Sequence, residues 1–412
     1  MLLSRTSGIA VVAVAVVASI VGAEASSTLG SRGVAAQLVA GRTVALVGAS
    51  AVDPAAGQAA AQKAEAASLP RMTPRQLAGQ RVIYSYPGPT PPASLLSLVR
   101  NGDAAGVIFF SNNYRTRRQF THAVNELIAA NASRSNPARA YPLLLMTDQE
   151  GGLVRRLPGA PTLSERKIGA MRPLSAAEAA ARQAGSGAAT NLRSYHLNVN
   201  LAPVLDVFRT AGDFDDKYQR SYSMRPGVVS TLGAQFITAQ QAGKVAATAK
   251  HFPGLGAART SQNTDKVPVT LRLSVATIKN VDEYPYHAAI KAGVKLIMVS
   301  WAKYPSLDAR HPAGLSSKIV QGQLRTRLGY DGVTITDAIG AGALTSFGSI
   351  SNRSLLAGEA GMDLILAASQ RSSEGVLSVN GLESGYKSGK LPTAAFRAAV
   401  ARILALRHSL PS

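Results

Sequence analysis

Three apolar segments of this chain end in polar side chains that can do chemistry. Residues 143–146 lead into Thr147-Asp148-Gln149-Glu150, a second segment leads into Lys250-His251, and residues 333–336 lead into Asp337. In a parallel barrel, strands deliver such side chains to one rim, at their carboxyl ends. Carboxylates together with an ammonium and an imidazole at one rim are typical of a site that cleaves sugars.

The elements that must position these groups repeat regularly after Met72. Short runs rich in Val, Ile and Leu alternate with amphipathic stretches, and this alternation predicts repeated βα units. Eight strands are predicted, at 81–86, 106–110, 143–147, 198–202, 245–250, 296–300, 333–336 and 363–366. Predicted helices between or after them include 176–192, 228–242, 274–292 and 393–406. We therefore expect an α/β fold, a single (β/α)8 TIM barrel over residues 72–412.

An open, doubly wound sheet is the alternative fold. Such a sheet usually has fewer repeats and carries a phosphate-binding glycine loop after its first strand. Residues 44–48 resemble a strand and a glycine turn, but no Gly-x-Gly-x-x-Gly pattern follows them. A nucleotide-binding site is therefore not expected.

The amino-terminal residues have the pattern of a signal peptide over residues 1–25. An apolar run at 9–22 precedes Ala23-Glu24-Ala25, which has the small-x-small form of a cleavage site. The run is shorter than the roughly 20 residues that span a bilayer, so export is predicted and a retained anchor is the alternative. Residues 26–71, dominated by Ala, Gly, Val and Ser, are predicted to be a flexible linker. The chain contains no cysteine, which excludes a lipoprotein anchor and disulfides.

The chain is strongly basic, with a formal net charge of +21. Arg5 and Glu24 cancel, so cleavage after Ala25 would leave the charge unchanged. An anionic neighbour is expected, and for an exported protein this means cell-wall polymer or a phospholipid surface. Nucleic acid is not expected, because no basic tract has interleaved aromatic residues. Residues 115–118 are the densest basic stretch, and they are typical of a solvated helix start.

Five motifs follow one another in the order found in glycoside hydrolase family 3, and the chain resembles the bacterial β-N-acetylhexosaminidase branch of that family. The motifs are Asp148-Gln149-Glu150-Gly151-Gly152-x-Val154-x-Arg156, Asn200-Leu201-Ala202-Pro203-Val204-Leu205-Asp206-Val207, Arg220-Ser221-Tyr222, Lys250-His251-Phe252-Pro253-Gly254 and Thr336-Asp337. The resemblance covers residues 72–406. It implies hydrolysis of terminal β-N-acetylglucosaminide or related β-glycoside bonds with retention, and it implies no cofactor.

By this resemblance, Asp337 corresponds to the catalytic nucleophile. A carboxylate at a strand end can attack the anomeric carbon and form a covalent glycosyl intermediate. The alternative is that Asp337 caps a helix formed by residues 338–344.

The resemblance also implies five residues that bind the sugar in the first subsite: Asp148, Arg156, Arg220, Lys250 and His251. Charged partners strengthen hydrogen bonds to sugar hydroxyls. For the two arginines the alternative is an interior salt bridge, for instance with Asp206 or Glu150, and Asp206 is as compatible with a structural role as with a functional one.

One segment departs from the family pattern. In the hexosaminidase branch, the loop after the Lys-His-Phe-Pro-Gly motif carries a histidine that serves as general acid/base, but residues 257–268 contain none. Asp265 is the only carboxylate in this loop and is the predicted acid/base, although Asn263-Thr264-Asp265 is also typical of an ordinary turn. Glu150 is a weaker substitute.

Other chemistries lack their sequence motifs. There is no Gly-x-Ser-x-Gly, no His-Glu-x-x-His and no P-loop, and the histidines are scattered, so neither a metal nor a serine mechanism is expected. Asp308 and His311 follow the sixth predicted strand and either border the pocket or belong to a surface loop. The missing loop histidine leaves a second function open, a wall-associated carbohydrate-binding protein with impaired catalysis.

Overall fold

Eight parallel strands close into a barrel in the computed structural model, which describes residues 69–411. Each strand pairs with the next one along the chain, and the last pairs with the first. In chain order the strands are β1 Val82–Tyr84, β2 Gly106–Phe109, β3 Leu144–Thr147, β4 Val199–Asn200, β5 Ala246–Phe252, β6 Leu296–Val299, β7 Val333–Ala338 and β8 Leu364–Leu366. The predicted (β/α)8 barrel is confirmed.

Helices surround the barrel. The α-helices are Pro74–Gly79, Ala93–Arg100, Arg117–Asn131, Glu165–Gly169, Leu174–Arg193, Phe214–Lys217, Pro226–Ala242, Val275–Thr277, Tyr284–Lys291, Ile350–Ala360, Ser372–Lys387 and Thr393–His408. π-Helical turns cover Ile278–Asp282 and Lys318–Arg327, and 3₁₀ turns cover Ser111–Asn113, Ala313–Leu315 and Gly342–Phe347. Pro226 marks the start of the helix Pro226–Ala242. At the first position of a helix the main-chain N–H has no partner within the helix, so a proline, which lacks this N–H, costs nothing there.

Two apolar layers hold the barrel together. Alternate side chains of one strand point to opposite faces. Leu144 and Met146 of β3 join the cluster inside the barrel, whereas Leu145 between them joins the larger cluster under the helices. Because both faces of the sheet are covered, the strands are apolar almost throughout, and the few polar side chains at their ends stand out.

The carboxyl-terminal segment covers the amino-terminal end of the barrel. Ile403, Leu406 and Leu410 join the apolar cluster inside the barrel. The buried guanidinium of Arg407 donates to the main-chain oxygen of Pro142, just before β3, at 2.8 Å. One end of the barrel is therefore closed, and a site can open only at the other end.

Some predicted boundaries differ from the observed ones. β5 continues to Phe252 and β7 to Ala338, so His251 and Asp337 lie within strands rather than after them, and Lys250 lies within its strand as predicted. β4 is only two residues long, against five predicted, although the residues after it still bond to the neighbouring strands: the Leu201 N–H donates to Thr147, and the Thr248 N–H donates to Ala202.

The predicted signal peptide, residues 1–25, and nearly all of the predicted linker, residues 26–71, lie outside the described residues. Within residues 69–411, no helix combines the length and the apolarity needed to cross a bilayer.

Candidate active site

The seven predicted site residues line one cavity of about 400 Å³. They are Asp148, Arg156, Arg220, Lys250, His251, Asp265 and Asp337. Residues at or beyond the carboxyl ends of β3, β4, β5 and β7 contribute these side chains. The cavity therefore lies at the open end of the barrel, where parallel barrels hold their active sites.

Asp337 lies near the end of β7, directed at this cavity. One of its oxygens, Oδ1, accepts the main-chain N–H of Ala338 at 2.7 Å, and the other has no hydrogen-bond partner within residues 69–411. The alternative helix over 338–344 does not form, because the strand runs through Ala338 and the next helical turn begins at Gly342. Asp337 is thus not a helix cap.

Lys250 is the buried cation at the centre of the site. Its ammonium lies 2.8 Å from Oδ1 of Asp148 and 2.7 Å from Oε1 of Glu150. Burial alone would raise the pKa of Asp148, but Lys250 and Arg156 together hold it well below its usual range. Asp148 is therefore ionised at any pH at which the protein works, and it can accept hydrogen bonds from sugar hydroxyls.

Arg220 forms the interior salt bridge that the sequence left as its alternative role. Its Nε and Nη2 each lie 3.0 Å from one oxygen of Glu150, and Nη1 lies 3.3 Å from Oδ1 of Asp215. The same guanidinium still lines the cavity. Against the effect of burial, Arg220 and Lys250 lower the pKa of Glu150, so this carboxylate holds no proton to donate.

His251 is oriented by Asp206 beneath it. Its Nδ1 lies 2.6 Å from Oδ2 of Asp206, and its Nε2 lies 3.3 Å from Nη2 of Arg220. Burial lowers the pKa of His251 to about 4, so the ring is neutral at neutral pH. Nδ1–H then donates to Asp206, and Nε2 accepts from Arg220. Asp206, fully buried, has the structural role that the sequence left open.

The sequence did not predict the contribution of Asp215. Burial raises the pKa of Asp206 to about 6, and burial together with the charge of Asp206 raises the pKa of Asp215 to about 7. The Asp215 and Asp206 carboxyl groups lie within hydrogen-bond reach of each other, and no other group within residues 69–411 donates to Oδ2 of Asp215. The segment around Asp215 has no family motif, and the only signal was a carboxylate five residues before Arg220.

Asp206, Asp215 and His251 also present ligand atoms within 4.8 Å of one another, which is the spacing of a metal site. However, Nδ1 of His251 is already bonded to Asp206, and the Arg220 guanidinium contacts both His251 and Asp215. The cluster is thus held by hydrogen bonds and by a positive charge that would repel a cation.

The loop that carries Asp265 is fixed to the segment that follows Asp337. The main-chain N–H of Gly342 donates to the main-chain oxygen of Asp265 at 2.8 Å. The main-chain N–H of Ala343 donates to the main-chain oxygen of Thr264 at 3.0 Å. A side chain at Gly342 would clash, because its Cβ would lie 2.1 Å from the main-chain oxygen of Lys266. This attachment brings Asp265 to the cavity that holds Asp337.

Both sequence interpretations of Asp265 have a counterpart in the structure. Its main-chain N–H donates to Oδ1 of Asn263 at 2.9 Å, as in a turn, while its side chain lines the cavity. Asp265 is open to solvent through the mouth of the cavity, yet the surrounding protein raises its pKa, against the opposing effect of Arg220. Burial and the charge of Asp265 likewise raise the pKa of Asp337.

Asp308 and His311 line a second cavity, of about 550 Å³, and not the one that holds Asp337. The Asp308 carboxylate accepts hydrogen bonds from the Ser316 hydroxyl and from the Arg310 main-chain N–H, each at 2.8 Å. These bonds organise the loop after β6, which agrees with the surface-loop alternative.

Comparison with known proteins agrees with this geometry. A model of the glycosyl hydrolase family 3 N terminal domain matches residues 76–406. A protein of Arthroderma benhamiae described as an uncharacterized secreted glycosyl hydrolase is 46% identical over 334 residues, 81% of this chain and 93% of that protein. A β-hexosaminidase of Xanthomonas axonopodis pv. citri is 33% identical over 267 residues, 64% of this chain and 75% of that protein.

Among solved structures, a glycoside hydrolase family 3 β-N-acetylglucosaminidase from Paenibacillus sp. has a TM-score of 0.76 and 30% identity. The match covers 82% of this chain and 63% of that longer protein. An eight-stranded parallel barrel whose carboxylates and cations surround one cavity at the open end, with these relatives, defines a glycosidase. The chain belongs to glycosyl hydrolase family 3.

Proposed function

We propose that the chain is an exported, retaining β-glycosidase that hydrolyses terminal β-N-acetylglucosaminide or related β-glycoside bonds, with Asp337 as the nucleophile. The observation that carries this proposal is the carboxylate of Asp337 at the end of β7, which lines the cavity and has one oxygen free of hydrogen bonds to any of residues 69–411. The family and the two named hexosaminidase relatives support the substrate class.

The nucleophilic step needs an ionised Asp337. Burial and Asp265 oppose ionisation, whereas the Ala338 N–H and Lys250 favour it. Because Asp265 and Asp337 raise each other's affinity for a proton, one proton shared between them leaves one carboxyl neutral and one charged. An ionised Asp337 would attack the anomeric carbon while a protonated Asp265 gives its proton to the leaving oxygen. Asp265 would then take a proton from the water that releases the sugar.

The bound sugar would lie among the charged groups deep in the cavity. Asp148 offers a charged acceptor, and Lys250 and His251 border the same space. Arg156 supports a binding role, because its side chain lines the cavity and is 35% exposed. Its buried Nε lies 3.7 Å from Oδ2 of Asp148, too far for a hydrogen bond, so the exposed part of the guanidinium would donate to a sugar hydroxyl.

A carbohydrate-binding protein with impaired catalysis is the second candidate. It is favoured by one observation, the absence of any histidine from residues 257–268, where the hexosaminidase branch carries its acid/base. In this case the charged groups would still bind the sugar, but the glycosidic bond would persist.

Chromogenic β-glycosides test the proposed activity. We expect the wild type to turn over the aryl β-N-acetylglucosaminide fastest within a panel of aryl β-glycosides, and Asp337→Asn to be inactive on all of them. Binding of N-acetylglucosamine without turnover of any aryl glycoside would favour the second candidate, and neither binding nor turnover would contradict both.

Export and an anionic neighbour complete the proposal. The pattern of residues 1–25 and the net charge of +21 support an extracytoplasmic protein attracted to cell-wall polymer or to a membrane surface. Amino-terminal sequencing of the exported protein tests the first part, with Ser26 expected as the first residue. Recovery of Met1 would indicate a retained anchor.

A further inference from the structure

The cavity has an apolar lip, Leu153 and Tyr218, above its charged groups. Leu153 lies in the turn of a short antiparallel hairpin after β3, formed by Gln149–Gly151 and Val154–Arg155, and is 63% exposed. Tyr218, on the segment after β4, is 40% exposed. Both line the cavity that holds Asp337, in which Lys250 and His251 are at most 5% exposed. This gradient of exposure places Lys250 and His251 at the bottom and the apolar lip at the mouth.

Exposed apolar side chains are concentrated in this sector of the rim. Within residues 69–411, nine large apolar side chains are exposed. Eight of them lie between β3 and β6, and five of these eight lie on the non-helical segments that follow β3, β4 and β5. The five are Leu153, Leu163, Tyr218, Met224 and Val267. Clustered exposed apolar surface marks a binding site more often than scattered single residues do.

The ring of Tyr218 is held in place. Phe214 packs against it edge to face, with 5.5 Å between ring centroids, and the ammonium of Lys217 lies 5.8 Å from its centroid. Phe214 is itself anchored, because its main-chain N–H donates to the oxygen of Ala258 at 3.0 Å. A ring that is already positioned loses little entropy when a ligand packs on it.

The position of the lip fits the group that leaves. If the cleaved sugar occupies the charged bottom, with its anomeric carbon at Asp337, the remainder of the substrate must pass the mouth. We propose that Leu153 and Tyr218 bind the leaving group and select an aglycone with a flat apolar face, either an aromatic ring or the C–H face of a second sugar ring. This inference rests on the proposed function, since it requires that a sugar binds at the bottom.

Binding of thioglycosides, which are not cleaved, tests the lip without catalysis. Calorimetry would compare methyl and phenyl thio-β-N-acetylglucosaminides and a thio-linked N-acetylglucosamine disaccharide. We expect the wild type to bind the phenyl compound about tenfold more tightly than the methyl compound, because an aromatic ring buries a large apolar area. Whether the disaccharide or the phenyl compound binds more tightly identifies the source of the apolar face.

Variants locate the effect. In Leu153→Ala/Tyr218→Ala the preference for phenyl over methyl should fall to within twofold, with binding of the methyl compound unchanged. Tyr218→Phe should keep the preference, because it keeps the ring. Leu377→Ala is the matched control, since Leu377 is 42% exposed but lies on the helix Ser372–Lys387, away from the cavity.

Two results would overturn the inference: equal binding of methyl and phenyl compounds by the wild type, or equal weakening of both in the double variant. Failure of the wild type to bind any of the three compounds would instead overturn the proposed function. The two failures are therefore distinguishable.

Discussion

The barrel buries two clusters of charged side chains, one at each end. At the closed, amino-terminal end, Asp363 lies just before β8 and is fully buried. Its Oδ2 accepts a hydrogen bond from Nη2 of Arg325 at 2.5 Å, and its Oδ1 accepts one from Nη2 of Arg402 at 2.7 Å. At the open end, Glu150 accepts Arg220 and Lys250 with similar geometry. The two clusters use the same residue types, but they differ in what surrounds them.

The carboxylate at the closed end is held ionised by its partners, whereas two carboxyl groups at the open end are not. The Asp363 carboxylate also accepts the Thr334 N–H at 2.8 Å, and its cations outweigh burial, lowering its pKa to about 2. At the open end burial prevails at Asp206 and Asp215, whose two carboxyl groups face each other. Carboxylates held ionised by their partners stabilise a fold, whereas carboxyl groups with perturbed pKa values beside a cavity are available for chemistry. Each prediction below tests one side of this difference.

The largest effect is expected at Asp337. Asp337→Asn should lower kcat by about 10⁴-fold or more, because the amide keeps the shape of the side chain but cannot act as the nucleophile. Its free energy of unfolding should change by less than about 1 kcal/mol, since the side chain bonds only the adjacent N–H. Steady-state kinetics and urea denaturation measure both. Retention of a tenth of the wild-type kcat would exclude Asp337 as the nucleophile.

Asp265→Ala should lower turnover by about 10²- to 10⁴-fold on substrates with poor leaving groups, because these need a proton. The turnover of aryl glycosides of acidic phenols should fall far less. Azide should restore the turnover of these substrates, because it replaces water as the attacking group. Rates plotted against the pKa of the leaving phenol measure this. An equal loss on all phenols, without azide rescue, would indicate that Asp265 only forms the turn with Asn263.

Asp363→Asn should have the opposite profile to Asp337→Asn. Removing the charge leaves the Arg325 and Arg402 guanidinium groups without their buried carboxylate, which costs about 3 kcal/mol of unfolding free energy. The kcat of the folded fraction should stay within twofold of the wild type. Urea denaturation compared with active-site titration separates the two quantities. A loss of kcat without a loss of stability would contradict the structural role assigned to the closed end.

The sequence predicted the fold well because its signals are local. Apolar runs of strand length and their spacing are visible residue by residue, and Lys250, His251 and Asp337 interrupt such runs. The open-end cluster depends instead on distant partners. Nothing near Asp215 in the sequence indicates that it contacts Arg220 below His251, and nothing near Gly342 indicates that it fixes the Asp265 loop.

The difference in pKa between the two ends predicts a pH dependence. The folded-state pKa values of Asp206, about 6, and Asp215, about 7, are above the ordinary value of 3.8. Their contribution to stability is therefore full below about pH 4 and is lost as the pH rises to about 7. Asp215→Asn removes one of these titrations. Between these pH values its unfolding free energy should therefore fall by about 3 kcal/mol less than that of the wild type. Parallel pH dependences in urea denaturation would contradict the perturbed titration of Asp215.

The surface charge should have the smallest and most readily screened effect. If the net charge of +21 attracts the protein to an anionic surface, retention on anionic phospholipid vesicles should weaken steeply between low and moderate salt. Exposed charges are screened over about 10 Å at 0.1 M salt. Vesicle sedimentation measures the retention, and neutral vesicles provide the control. Retention that does not depend on salt would contradict a purely electrostatic attraction.

The identity of the nucleophile at the open end is the central claim, and trapping the glycosyl-enzyme tests it most directly. Active enzyme would be incubated with a 5-fluoro or 2-fluoro glycoside, digested and analysed by mass spectrometry. We predict a mass increase of one fluoroglycosyl group on the peptide that contains Asp337, with fragmentation placing it on that residue. A label on Asp265, or on any residue other than Asp337, would contradict the account.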